Sequence, residues 1–67
     1  MIILGIDPGV ATTGWGVIQK EKQDIVLIAY GTIQTKPSLS KGKRLKEIYL
    51  KLSALIVKYR PEIVAVE

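Results

Sequence analysis

Sixty-seven residues make one small domain at most, near the size at which a single core is marginal. The chain has no histidine and no cysteine, which removes Ser-His-Asp and Cys-His nucleophile systems, imidazole acid–base chemistry, disulfides and the ligands zinc prefers. Ten Lys and Arg against six Asp and Glu give a net charge of +4, a balance that suits a polyanionic partner without establishing one. What remains for catalysis is carboxylates, lysines and hydroxyls. Carboxylates without imidazole favour hard, oxygen-loving cations, above all Mg²⁺ and Mn²⁺. Hydrophobic residues make up 48% of the chain and mean hydropathy is +0.25. That is apolar for so short a soluble chain and points to part of a larger core. No apolar run approaches the length of a membrane span, and the N-terminus lacks the basic region and small-residue cleavage site of a secretory signal. The lack of cysteine fits a cytoplasmic protein.

Residues 2–6, Ile-Ile-Leu-Gly-Ile, carry no charge and read as a strand buried on both faces. Asp7 closes this run, and Pro8-Gly9 cannot continue a paired strand, so a carboxylate is held at the carboxyl end of a central strand. An Asp bonding the backbone of its own turn is the bland alternative. Residues 13–19 read as a second strand, with Trp15 and Val17 on one face and Gly14, Gly16 and Ile18 on the other. Two glycines on one face suggest either close approach of a ligand or room for a packed helix. Residues 20–24 form a polar hairpin connection, and residues 25–35 a third strand with Gly31 as a possible bulge. Ser40 is placed to cap a helix in which Leu45, Ile48, Tyr49, Leu52, Leu55, Ile56 and Tyr59 recur as a full apolar stripe. Glu47 and Lys51 form an i,i+4 pair on its outer side. Arg60-Pro61 ends the helix, and residues 63–67 form a second apolar strand ending in an acid, Glu67.

Short loops make the first three strands an antiparallel meander, and a right-handed helical crossover returns the fourth strand parallel to the third. Docked beside the first strand, it gives the order 3-2-1-4, an α/β mixed sheet with one amphipathic helix on one face. Asp7 and Glu67 then share one end of neighbouring parallel strands, where they repel unless a cation or a proton lies between them. Lys36, Lys41, Lys43, Arg44 and Lys46 cluster with no acid between Asp24 and Glu47; they read either as a solvated surface or as a phosphate-binding patch. No internal repeat, low-complexity segment or domain boundary is present.

Leu4-Gly5-Ile6-Asp7-Pro8-Gly9 followed by Thr13-Gly14-Trp15-Gly16-Val17 resembles the opening of the RuvC family, the bacterial Holliday-junction resolvases. The later pattern Arg44-Leu45, Ile48-Tyr49, Leu52, Ile56, Tyr59, Pro61-Glu62 and Val64-Ala65-Val66-Glu67 agrees, so the resemblance runs over the whole chain. It implies the N-terminal part of a single ribonuclease-H-like nuclease domain over residues 1–67, incomplete as it stands. The implied activity is a crossover junction endodeoxyribonuclease that nicks four-way DNA junctions symmetrically as a homodimer, with Mg²⁺ or Mn²⁺. The implied partners are junction DNA and the branch-migration proteins RuvA and RuvB. Asp7 and Glu67 fall on the first two of the family's four catalytic, metal-binding acids, with the other two further along a family chain. The fragment alone is therefore expected to be inactive. Resolvase chemistry would give Lys41, Lys43, Arg44 and Lys46 a role in binding DNA. Two other readings stand beside it. One is an actin-like or sugar-kinase-like domain whose first turn binds nucleotide phosphates, although Pro8 removes a backbone donor there. The other is a non-catalytic fragment that survives by associating with other chains through its bare strand edge and sheet face.

Overall fold

The structure is a computed structural model that describes residues 1–9 and 11–67. Among the described residues five elements follow in chain order: β1 (Ile2–Asp7), β2 (Thr12–Glu21), β3 (Asp24–Gln34), α1 (Lys41–Tyr59) and β4 (Ile63–Val66). The four strands form one sheet in the order β3-β2-β1-β4. β1 is antiparallel to β2, β2 antiparallel to β3, and β4 parallel to β1, as the connection lengths require. The chain start is held in the ladder, with the Met1 ammonium donating to the Lys20 carbonyl at 2.9 Å.

Alternation along β1 and β2 sorts side chains onto two faces. Leu4, Ile6 and Val17 form the core cluster, with Leu4 and Val17 fully buried. Ile2, Trp15, Leu52 and Tyr59 pack against it, so α1 covers the face that carries Leu4, Trp15 and Val17. The Trp15 and Tyr59 rings meet at 6.2 Å between centroids and 41° between planes, a tilted contact worth about 0.5–1.5 kcal/mol beyond its buried area. The glycines of β2 lie on the opposite face, so space for this helix is not what they provide.

Two sequence expectations change here. The helix stripe is only partly a core: no residue of α1 is buried, and Leu45 and Tyr49 are 67% and 69% exposed. Helical spacing selects a face, but Leu52 and Tyr59 reach the buried cluster while Leu45 and Tyr49 stay open and Ile48 is half-buried. The irregularity in β3 is also elsewhere than at Gly31. The register shifts where Val17 pairs with Ala29 and Ile18 with Leu27, leaving Ile28 as the extra residue. Gly31 pairs with Trp15, and a Cβ added to it would lie 2.9 Å from Cζ2 of the indole. Gly31 is there because the tryptophan ring lies across its backbone.

The helix begins as expected. Ser40 has extended backbone and accepts a hydrogen bond from the Lys43 amide at 3.3 Å. It ends on Arg60 in the left-handed conformation, φ 47°, whose amide bonds the Ile56 carbonyl at 2.8 Å. Lys51 and Glu47 pair at 3.7 Å on the outer face; both are substantially exposed, so the pair adds little.

Gly31→Ala is expected to destabilise the fold by about 1–3 kcal/mol, because the indole must move off its packed position. Gly42→Ala meets nothing within 4 Å and is expected to stabilise by up to about 1 kcal/mol through helix propensity. Urea unfolding followed by Trp15 fluorescence reads both. Ser40→Ala, read the same way, is expected to cost about 1 kcal/mol by leaving helix amides without their cap.

Candidate functional site

Asp7 is the last residue of β1, and Pro8-Gly9 lies outside the strand. β4 aligns Ile6 with Val66, and the Glu67 amide donates to the Ile6 carbonyl at 3.1 Å. One step further along this parallel ladder stand Asp7 and Glu67. Residues in register on parallel strands project to the same face. The register therefore puts both carboxylates on the face away from Leu4, Ile6 and α1. Both residues are exposed.

That face is floored by backbone. Gly5 pairs with Gly16, and Asp7 with Gly14; Gly5, Gly14 and Gly16 share the carboxylate side. At this end of the sheet lies a cavity of about 350 Å³ lined by Asp7, Glu67, Gly5, Gly14 and Gly16 and also by Ile6, Trp15 and Gly31. A Cβ added at Gly14 would make only ordinary contact, 3.9 Å from Asp7, and one at Gly16 would lie 4.0 Å from the Ala29 carbonyl oxygen. These two glycines are not demanded by packing, so their effect is to keep the trough beside the acids open.

The donor set is carboxylate oxygen, which suits Mg²⁺ or Mn²⁺ and not a thiolate- or imidazole-seeking metal. Among the described residues no group of three or more Asp and Glu is placed to hold a metal ion. The two acids at this trough fit part of a coordination sphere for a hydrated hard cation.

The basic residues lie at the same end of the sheet but on the helix side. Lys41, Lys43, Arg44 and Lys46 belong to the first turns of α1. Lys41, Arg44, Leu45, Ile48 and Gly9 line a second cavity of about 430 Å³. Lys41, Lys43 and Lys46 are exposed. Arg44 is half-buried, and its Nε donates to the Thr35 hydroxyl at 3.1 Å, tying the helix to the end of β3. The cluster is thus divided, three lysines facing solvent and one arginine engaged in the fold. Thr35, 7% exposed, was not singled out by sequence reasoning; a lone threonine at a strand end carries no signal that it will receive an arginine. Sequence reading also gives no sign that Gly5 and Gly31 line the cavity beside the acids, because that depends on cross-strand register.

Comparison with known proteins gives a consistent result. The family model described as crossover junction endodeoxyribonuclease RuvC matches residues 3–67. The chain is 49% identical over its whole length to the protein of that name from Alkaliphilus metalliredigens, covering 41% of the relative, and 51% identical to that from Syntrophomonas wolfei, covering 39%. It therefore spans about two fifths of the length of these curated relatives. Among solved structures, Thermus thermophilus RuvC superposes with a TM-score of 0.89 at 30% identity, over 98% of this chain and 44% of that one. The same protein in complex with a Holliday junction substrate gives 0.89 at 31%, over 98% and 42%. An Aquifex aeolicus PPX-GPPA enzyme shares the fold alone, with a TM-score of 0.74 at 17% identity over 98% of this chain and 25% of that one. With its ribonuclease-H-like mixed sheet and a family match that begins at Ile3 and runs to Glu67, the chain belongs to the RuvC family of crossover junction endodeoxyribonucleases.

Proposed function

We propose that these residues form the N-terminal part of a single nuclease domain, and that the protein containing it is a metal-dependent endonuclease. Its substrate is the four-way DNA junction of recombination and repair, cut by paired symmetric nicks. The observation that carries this reading is the placement of Asp7 and Glu67 on one trough at the ends of adjoining parallel strands. Relatives 49% and 51% identical carry the name of a junction endonuclease. A structure with a TM-score of 0.89 to this chain was solved with junction DNA, which supports the same substrate here. The rival reading, a turn that binds nucleotide phosphates, gives Glu67 no role.

Asp7 and Glu67 are the catalytic acids and would hold Mg²⁺, or Mn²⁺ in its place. When bound, such an ion activates water and offsets charge on the leaving oxygen of a phosphodiester. Asp7 is fixed by β2 on one side and β4 on the other, so its oxygens are offered from a rigid strand end. Gly14 and Gly16 let the substrate backbone approach that strand end without meeting side chains. Lys41, Lys43 and Lys46 attract DNA phosphates and release counterions; Arg44 adds charge there while it bonds Thr35. The working protein is a cytoplasmic homodimer that acts with RuvA and RuvB.

Two acids provide too few ligands for the full chemistry, so the 67-residue chain is expected to leave a synthetic four-way junction uncut in Mn²⁺. Clean paired nicks on a denaturing gel would refute that expectation. Binding is expected all the same. Mn²⁺ should broaden the amide resonances of Asp7, Gly14 and Glu67 while sparing those of Tyr59. Asp7→Asn should weaken this effect by on the order of tenfold or more, since loss of a ligand costs at least what loss of its outer-shell partners does. Uniform broadening along the chain would count against the site. Lys41→Glu with Lys43→Glu should weaken junction binding at low salt and reduce the salt slope by about 0.9 for each phosphate no longer neutralised.

A further inference from the structure

The connection that follows Asp7 is held from outside its own strand pair. Residues 8–11 join β1 to β2. Gly9 has no room for a side chain there, since an added Cβ would collide with the Thr12 carbonyl oxygen. The connection is anchored at Ala11, whose carbonyl accepts from the Thr35 amide at 3.3 Å. Thr35 lies one residue beyond β3 and is 7% exposed. Its hydroxyl accepts from Nε of Arg44 at 3.1 Å, the partner that a buried hydroxyl requires. Gly9 and Arg44 line one cavity, so the guanidinium stands close to the connection that it holds through Thr35.

Contacts therefore run from α1 to the segment that begins at Pro8: Arg44 to Thr35, Thr35 to Ala11, and Ala11 along the chain to Asp7. The ladder with Gly14 fixes the Asp7 backbone on one side. Which rotamer a side chain adopts depends on its own φ and ψ, and ψ of Asp7 is set by the course of the chain after it. A tether that only anchored the helix would need no link to this connection, whereas Thr35 supplies one through its amide. Lys41, Lys43 and Lys46 are exposed and provide positive charge without Arg44. What separates Arg44 from them is a planar guanidinium, which donates in a fixed direction where an ammonium rotates freely.

We propose that Arg44 is a positioning residue for the Asp7 carboxylate. By holding Thr35 it fixes the connection after β1 and confines Asp7 to one side-chain rotamer. The consequence for metal binding rests on the proposed role of Asp7, whereas the rotamer is measurable without metal.

Thr35→Val removes the hydroxyl at nearly constant volume and leaves every charge in place. Three-bond Hα–Hβ couplings of Asp7 are expected to report one rotamer in the unsubstituted chain and an average in Thr35→Val. Arg44→Met is expected to give the same average without altering the end of β3. Thr35→Ser, which keeps the acceptor, retains the single rotamer. Binding of Mn²⁺ alone, read from broadening of the Asp7 and Gly14 amides, is expected to weaken about threefold to tenfold in Thr35→Val and Arg44→Met. That is less than the roughly 10–100-fold cost of losing a partner bonded directly to a metal ligand. The double variant is expected to bind no more weakly than either single one, because both break the same contact. Unchanged Asp7 couplings in folded Thr35→Val, unchanged Mn²⁺ affinity once the couplings average, or additive losses in the double variant would each overturn the proposal. Thermal unfolding followed by circular dichroism separates the alternatives further, since a helix tether alone lowers the midpoint and leaves the couplings as they were. If the unsubstituted chain shows no broadening around Asp7, the metal role of Asp7 fails, and the couplings still decide whether Arg44 sets its rotamer.

Discussion

The parallel ladder between β1 and β4 is the constraint on which the site depends. It joins positions about sixty residues apart in the chain and sets Ile6 beside Val66. The Glu67 amide is then tied to the Ile6 carbonyl. Such pairing is possible only because α1 returns the chain across the sheet, and α1 can do so only by packing Leu52 and Tyr59 on the Leu4, Ile6 and Val17 cluster. Both carboxylates therefore owe their proximity to apolar contacts on the opposite side of the sheet. A loss of packing there would separate the acids before it touched either one.

The two faces of the sheet have different work. Even-numbered β1 residues and odd-numbered β2 residues build the core under α1, where each fully buried Leu or Val side chain contributes about 1.5–3 kcal/mol. The other face places Gly5, Gly14 and Gly16 next to Asp7 and Glu67, and those glycines contribute almost nothing to packing. Glycine in a strand interior costs stability through entropy and the missing side chain. Three glycines on one face of a small domain weaken its sheet, and the open trough is what the weakness accompanies. Trp15 belongs to both roles, in tilted contact with Tyr59 on the core side while its ring lies across Gly31 and lines the cavity beside the acids.

Much of this was legible in the letters. The charge-free run ending in Asp7, the Pro8-Gly9 stop and the Ser40 cap each act locally, so local rules place them well. Strand order followed from loop lengths and the single crossover, because few topologies survive those restrictions. What could not be read was anything set by how far one element extends over another. The helical period of α1 marks Leu45 and Tyr49 as equivalent to Leu52 and Tyr59, yet only the latter two meet the core cluster. Gly31 looked like a bulge because glycine permits one; its actual constraint, the Trp15 ring across the strand, is a matter of register. Arg44 looked like its lysine neighbours by charge, and only the fold brings it to Thr35.

The exposed apolar surface follows from the same economy. A four-stranded sheet with one helix buries one face well, and Leu4 and Val17 are the only side chains fully enclosed among the described residues. Val64 and Val66 on β4, Ile25 to Ile28 on β3 and Leu45 on α1 remain in water, each favourable to bury at roughly 25 cal/mol per Å². A chain with so much apolar area outside its core gains more from acquiring neighbours than from any internal rearrangement. Further packing on the open sheet face would place apolar groups against Ile3 and Ile63 and stiffen the strand ends that hold Asp7 and Glu67. Burial and site geometry are thus coupled: whatever covers the carboxylate face also fixes the carboxylates.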